Sequence, residues 1–372
     1  MSEPTGFEPP PSPSDRLDAL KALADRHEGG CIDLSIGTPC DPPPAAVVAA
    51  LATSGAERGY PASVGTPAFR EAAAGWMARR LGVSVAAEHV GACVGSKELV
   101  AGLPQWLHLR RPALDTVLYP AISYPSYAMG ATLAGCRAVA VPVDDQWRLD
   151  VSAIDPADAA RALCLWSNTP GNPAGGLDDL AAIAAWGRAA GVPVFSDECY
   201  AEFTWDGPPR TILSEGVDGV VAVHSLSKRS NLAGARLGFY AGDPDLVHYL
   251  REVRKHAGFM PPGPVQAAGA VAYCDDTHVD EQRARYRRRL ERAAEVLAAI
   301  GLEAPLPGGA FYLWVPAPDG DAWGLAARLA ADAGVLVSPG EFYGDAGAAH
   351  VRLAMVQPNE QIELMARRLG VT

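Results

Sequence analysis

Between about residue 90 and residue 240 the chain alternates short, unbroken apolar runs with alanine-rich stretches, and this alternation limits the fold more than any other feature. The runs are TVLYP (116–120), RAVAVPV (137–143), ALCLWSN (162–168), PVFSDE (193–198), GVVAVHS (219–225) and ARLGFYAG (235–242). A strand with one wet face alternates apolar and polar residues, whereas a continuous apolar run suits a strand covered on both faces. Segments such as LDDLAAIAAWGRAAG (177–191) suit the covering helices. The pattern predicts an α/β layer around a mostly parallel sheet. Binding residues in such a layer gather at strand ends and in the loops that follow.

The ends of the chain read differently. After the break MPPGP (260–264) come a long helical region, the run GGAFYLWVP (308–316), another helix and AAHVRLAMV (348–356). This suits a smaller α+β lobe, joined by the N-terminal forty or so residues. The expected division is 1–45 for the joining segment, 46–262 for the large domain and 263–372 for the small one. A chain of 372 residues has the length for both.

Charge and cysteine usage exclude several classes of function. The net charge is −12, which predicts no affinity for nucleic acid or for an anionic membrane. The densest basic run, RARYRRRLER (283–292), reads as a solvated helix face. The seven cysteines stand singly, with no CxxC pair or Cys/His cluster, so neither a metal site nor a secreted disulfide framework is expected. The proline-rich start MSEPTGFEPPPSPSD lacks the apolar core of a signal peptide, and no apolar run approaches the roughly 20 residues of a membrane span. A reducing cytoplasm is the expected location.

The chemistry concentrates at the ends of the predicted strands. In HSLSKRSNLAGARLGFYAGD (224–243) Lys228 follows a buried strand directly, between Ser225, Ser227 and, further on, Arg236, whose forked donors suit phosphate. Asp197 ends another strand, where a carboxylate is costly to desolvate without a positive partner; Tyr200 follows it. Asn168 and Asn172 lie in the loop SNTPGNPAGG, and the step VGSKELV brings Ser96 and Lys97 to the start of a helix, whose free N–H groups can hold a phosphate. Tyr124, in AISYPSYAMG, suits the face of a planar ring. Each has an ordinary alternative: a helix cap for the aspartate, turns for the asparagines, packing for the tyrosine, solvent for the lysine. Together they describe a phosphorylated ring held through its phosphate and a protonated nitrogen, with an aldehyde bonded to a lysine.

These segments occur in one order with IGTPCDPPP (36–44), YPASVGTPAFREA (60–72), GGAFYLW and VRLAMV. In this the chain resembles the class I/II aminotransferases, the fold-type-I family dependent on pyridoxal 5'-phosphate (PLP). The resemblance implies a seven-stranded sheet in the large domain and a homodimer with shared sites. It assigns Lys228 to the covalent bond with the cofactor, Asp197 to the pyridine nitrogen, Asn172 and Tyr200 to the phenolic oxygen, and Tyr124 to the ring face. Ser96, Lys97, Ser225, Ser227 and Arg236 would hold the phosphate, joined by Tyr60 from the neighbouring subunit. Arg352 would grip the substrate α-carboxylate, with Gly37 and Asn172 beside the substrate.

Within the family, SLSKRSNLAGARLGFYAGD and SDECYAEFTWDG are most similar to succinyldiaminopimelate aminotransferases of the actinobacterial type, although Ala235 stands where those carry an aromatic residue. That implies N-succinyl-L,L-diaminopimelate and 2-oxoglutarate as substrates. The alternatives are an aspartate or broad-specificity aminotransferase and a cystathionine β-lyase-like enzyme. A PLP-binding transcriptional regulator would need a basic helix-turn-helix domain ahead of the aminotransferase-like part, for which the roughly thirty N-terminal residues are expected to leave no room. Lys97 and Arg229 are the basic candidates for a distal carboxylate, with solvent as their other reading.

Overall fold

The computed structural model describes residues 6–10 and 13–371; residues 1–5 and 11–12 of the proline-rich start lie outside the described residues. Eight strands precede the long helical region: β1 (Ile32–Asp33), β2 (Val90–Cys93), β3 (Thr116–Pro120), β4 (Arg137–Val141), β5 (Ala162–Asn168), β6 (Val194–Asp197), β7 (Val220–Ser225) and β8 (Gly238–Gly242). Four follow it: β9 (Tyr312–Pro316), β10 (Val335–Leu336), β11 (Ser338–Pro339) and β12 (His350–Ala354).

Seven strands form one sheet in the order β2-β8-β7-β6-β5-β3-β4. Strands β3 to β7 pair in parallel, and β8 runs antiparallel to both β7 and β2. The reversal has a local cause. Only the short segment 226–237 joins β7 to β8, and it spends its length on two short helical turns, leaving no crossover helix to return the chain for parallel pairing.

Successive residues of the central strands divide between two cores, as a doubly covered sheet requires. Leu165, Val194, Ala222 and Phe239 pack on one face, against Phe69 and Trp76 of helix Pro67–Trp76 and Ile183 of helix Leu180–Ala190. Trp166, Phe195, Val221 and Tyr240 pack on the other, against Leu99 and Leu103 of helix Ser96–Arg110 and Leu250 of helix Pro244–His256. Each fully buried large side chain contributes about 1.5–3 kcal/mol. Strand β4 departs from the expected burial: Arg137, Ala138 and Ala140 are exposed, because β4 closes the sheet and pairs only with β3. Strand β2 was not legible as a strand, being four residues long with a glycine inside.

The antiparallel set β11-β12-β9 and the parallel pair β1-β10 surround another core. There Ile32 and Leu34 of the N-terminal segment meet Leu290, Val296, Leu313 and Val351. Helix Gly263–Cys274, expected in the smaller lobe, instead packs Ala268, Ala272 and Tyr273 into the core that holds Phe69 and Trp76. Its small residues let it lie close to the neighbouring helices. The arginine-rich helix Thr277–Ala299 is also more than a wet face. Arg289 is buried and clasps Asp41 through two nitrogens at 2.7 and 2.8 Å, tying the N-terminal segment down. No helix among the described residues is long and apolar enough to cross a membrane.

Candidate active site

One cavity of about 630 Å³ opens where the parallel strands end. It is lined by Gly37, Ser96, Lys97, Tyr124, Asn172, Asp197, Tyr200, Ser225, Ser227, Lys228, Arg236 and Arg352. The site residues expected from the sequence are there except Tyr60, which is 98% exposed, and Arg229, one of the two candidates for a distal carboxylate; neither lines this cavity.

The floor is built by strand ends. Asp197 is the last residue of β6, and its Oδ2 accepts from the Tyr127 hydroxyl at 2.9 Å while Oδ1 accepts from the Cys199 N–H at 3.2 Å. Burial pushes its carboxyl above the ordinary range, against the pull of those hydrogen bonds. No cationic side chain among the described residues pairs with it, so a desolvated carboxylate faces the cavity. Behind it Glu198 and His224 approach to 3.3 Å. Burial raises Glu198 to about 7 and lowers His224 to about 3, so near pH 7 the imidazole is neutral and the carboxyl is divided between its protonated and ionised forms.

Lys228 sits in the short helix Leu226–Arg229 directly after β7, and its Nζ donates to the Gly37 carbonyl. Burial lowers its pKa to about 8, helped by the positive charges of Arg352 and Arg236. Arg229, by contrast, is neither solvent-facing nor in the cavity. It is 2% exposed, donates to Ala272 O at 2.7 Å, and meets Glu202 and Asp276 at 3.4 and 3.2 Å. Consecutive residues of a tight helical turn point apart, so the first faces the cavity and the second the core. Lys97 is exposed at the cavity wall, its ammonium 5.8 Å from the Tyr124 ring centroid.

Four donors converge for an anion. Helix Ser96–Arg110 starts after Gly95, whose φ of 74° and lack of a side-chain cap leave the first N–H groups open. A Cβ on Gly95 would overlap the Arg236 guanidinium, so only glycine lets that cation close on the helix start. Arg236 is itself at φ 56° and donates to Ala233 O at 2.8 Å. The hydroxyls of Ser225 and Ser227 stand 2.9 Å apart at the same end.

The opposite wall comes from the antiparallel set β11-β12-β9. Arg352 on β12 donates through Nη1 to Asn172 Oδ1 at 2.7 Å and through Nη2 to Ser35 O at 2.5 Å. Its buried Nε has no partner among the described residues. The guanidinium lies over the rings of Tyr312 and Tyr343, 4.3 and 4.7 Å from their centroids. Asn172 receives Arg352 on its oxygen, and its backbone N–H is fixed by Asn168 Oδ1 at 2.9 Å, which leaves the amide nitrogen available to the cavity. Tyr200 bonds Tyr312 at 2.7 Å between hydroxyl oxygens. Tyr124 packs edge-on against Tyr127.

Sequence reasoning missed Tyr127, Tyr312 and Cys199. Tyr127 had a signal, as the second aromatic of YPSY beside an unpaired acid. Tyr312 had none, since within GGAFYLWVP it reads as one more core aromatic.

The donor set fits a phosphorylated, protonatable ring. An anion nest of hydroxyls, guanidinium and helix start lies in the same cavity as an unpaired buried carboxylate and an amine of lowered pKa. Comparisons with known proteins agree. The family described as aminotransferase class I and II matches residues 29–369. A 4-dedimethylamino-4-oxo-anhydrotetracycline transaminase of Streptomyces rimosus is 43% identical, over 97% of this chain and 99% of that protein. An LL-diaminopimelate aminotransferase of Dehalococcoides mccartyi is 33% identical over 92% of each. The solved structure of a probable N-succinyldiaminopimelate aminotransferase from Thermus thermophilus, 32% identical, matches with a TM-score of 0.86 over 96% of this chain and 99% of that one. The chain belongs to the class I and II aminotransferases, the PLP-dependent enzymes of fold type I.

Proposed function

We propose that the protein exchanges the amino group of N-succinyl-L,L-2,6-diaminopimelate with 2-oxoglutarate, giving N-succinyl-2-amino-6-oxopimelate and glutamate. The observation that carries the reaction type is the meeting of Lys228, Asp197, Arg236 and Arg352 in one cavity. The choice of donor draws support from the Thermus thermophilus relative and from the diaminopimelate aminotransferases.

When bound, PLP supplies an aldehyde that bonds to amines and a ring that takes up the electron pair left at a substrate α-carbon. In this reading Ser96, the Lys97 backbone, Ser225, Ser227 and Arg236 hold the phosphate, and Asp197 keeps a proton on the ring nitrogen. Asn172 and Tyr200 donate to the phenolic oxygen, and Tyr124 lies against the ring face. Arg352 takes the α-carboxylate as a bidentate pair beside Gly37. Lys228 would supply the amine that the aldehyde takes up, and as a free amine beside the substrate it would move the proton at the α-carbon. With its pKa near 8, an appreciable share of the amine is neutral and able to accept that proton at neutral pH. The exposure of Tyr60 supports a homodimer in which this ring serves the partner's site. Seven free cysteines support a cytoplasmic location.

A second reading, amination of a ketone on a polycyclic scaffold, is favoured by the 43% identity to the Streptomyces rimosus transaminase. A panel on the PLP-loaded enzyme separates the two. Glutamate formed from 2-oxoglutarate with N-succinyl-L,L-diaminopimelate, and far more slowly with L,L-diaminopimelate or aspartate, is the expected result. Turnover confined to a 4-oxo-anhydrotetracycline with glutamate as donor would move the assignment to the second reading. Pyruvate released from cystathionine would remove both.

A further inference from the structure

The Tyr312 phenol touches three parts of the site. It is 1% exposed on β9, and its hydroxyl lies 2.7 Å from that of Tyr200, its one hydrogen-bond partner among the described residues. The Arg352 guanidinium covers its ring at 4.3 Å. A Cβ on Gly37 would overlap its hydroxyl, so the backbone whose carbonyl receives Lys228 lies directly against it.

A hydroxyl donates one proton and accepts at two lone pairs. In a pair of phenols one donates, and the other keeps its proton for a further acceptor. If Tyr200 donated to Tyr312, its proton would be spent inside the wall. If Tyr312 donates, the Tyr200 proton is left for the cavity. The second arrangement is the stronger one here, because a cation over the Tyr312 ring favours loss of that ring's proton. Burial pushes Tyr312 up to about 12 with Arg352 opposing the rise, whereas Tyr200 is raised further. The better acid is the better donor.

We propose that Tyr312 is a positioning residue of the transamination site, whose hydroxyl donates to Tyr200 and so turns the Tyr200 proton toward the phenolic oxygen of the bound cofactor. This rests on the PLP-dependent reading above. Arg352, through the Tyr312 ring, then joins the carboxylate end of the site to the hydrogen bond at the cofactor ring.

The test is a pH titration of the visible absorbance of the PLP-loaded holoenzyme. A proton donated to the phenolic oxygen favours its ionised form and holds the titration midpoint low. Tyr312→Phe keeps the ring under Arg352 and against Gly37 and removes only the donor, so the midpoint is expected to rise by about half a pH unit or more. Tyr200→Phe should raise it further, and the double variant should match Tyr200→Phe alone, because Tyr312 acts through Tyr200. Replacing Tyr312 with 3-fluorotyrosine, a stronger donor of nearly the same shape, should lower the midpoint and serves where the phenylalanine variant fails to fold. An unmoved midpoint in Tyr312→Phe or in the fluorotyrosine protein overturns the proposal, as does a double variant that shifts beyond Tyr200→Phe. A wild-type protein that takes up PLP but shows no titrating band overturns it too. A wild-type protein that takes up no PLP removes the cofactor reading itself.

Discussion

The two walls of the cavity are held in different ways. On the sheet side backbone N–H groups are fixed by near neighbours in sequence, Asn172 by Asn168, Cys199 by Asp197 and Ser227 by Ser225, although Asp197 also meets Tyr127 across 70 positions and Lys228 meets Gly37 across 191. On the facing side the partners are remote. Arg352 reaches Ser35 across 317 positions and Asn172 across 180, Ser338 reaches Ser35 across 303, and Tyr312 meets Tyr200 across 112. The first wall is a row of strand ends braced largely by short-range bonds. The second is made of bonds that join the N-terminal segment, the large sheet and the β11-β12-β9 set. In the proposed mechanism the sheet wall serves the cofactor and the assembled wall reads the carboxylate.

That division can be broken by experiment. Lys228→Ala removes the reactive group of the sheet wall, and turnover should fall by at least about a thousandfold. Borohydride reduction and peptide mapping should then find no pyridoxyl group on the peptide that carries it in the wild type; retained activity would place the amine elsewhere. Arg352→Lys keeps the charge of the facing wall and loses its fork. The Michaelis constants for amino donor and keto acceptor should rise together by roughly ten- to a hundredfold, with a smaller change in kcat. A rise in only one of them would make Arg352 a side-chain reader and erase the contrast between the walls.

The smallest effect concerns stability. In the protein without PLP the Asp197 carboxyl titrates above its unfolded value because it is desolvated. Such a group makes no difference below the unfolded pKa, and stability is lost as pH rises from there toward the folded pKa. Asp197→Asn in the PLP-free protein should therefore be more stable than wild type at neutral pH, by on the order of 1 kcal/mol, with the difference vanishing near pH 3. A variant less stable at every pH would mean that the hydrogen bonds from Tyr127 and Cys199 outweigh the desolvation.

What could be read from sequence follows the same line. Strand ends such as Asn168, Asp197 and Ser225 close apolar runs that local pattern reveals, so the sheet wall and its chemistry were legible. Arg352 and Gly37 were placed through the family resemblance, since nothing in HVRLAM or IGTPC says that the two segments meet. Arg229 was misread because a charge beside Lys228 gives no sign of which side of the turn it takes. The same holds for Arg289, whose partner Asp41 lies 248 positions away. Helix Gly263–Cys274 follows a proline-glycine break that resembles a boundary; its packing against Phe69 and Trp76 is a tertiary fact.

The burial of Arg229 has one more consequence. Pinned to Ala272, Glu202 and Asp276, it moors the peptide on the far side of the lysine. The backbone at 228 cannot swivel without tearing that mooring loose. The amine's travel is therefore confined to torsions of its own four-carbon tether and does not draw on the slower swing of a loop.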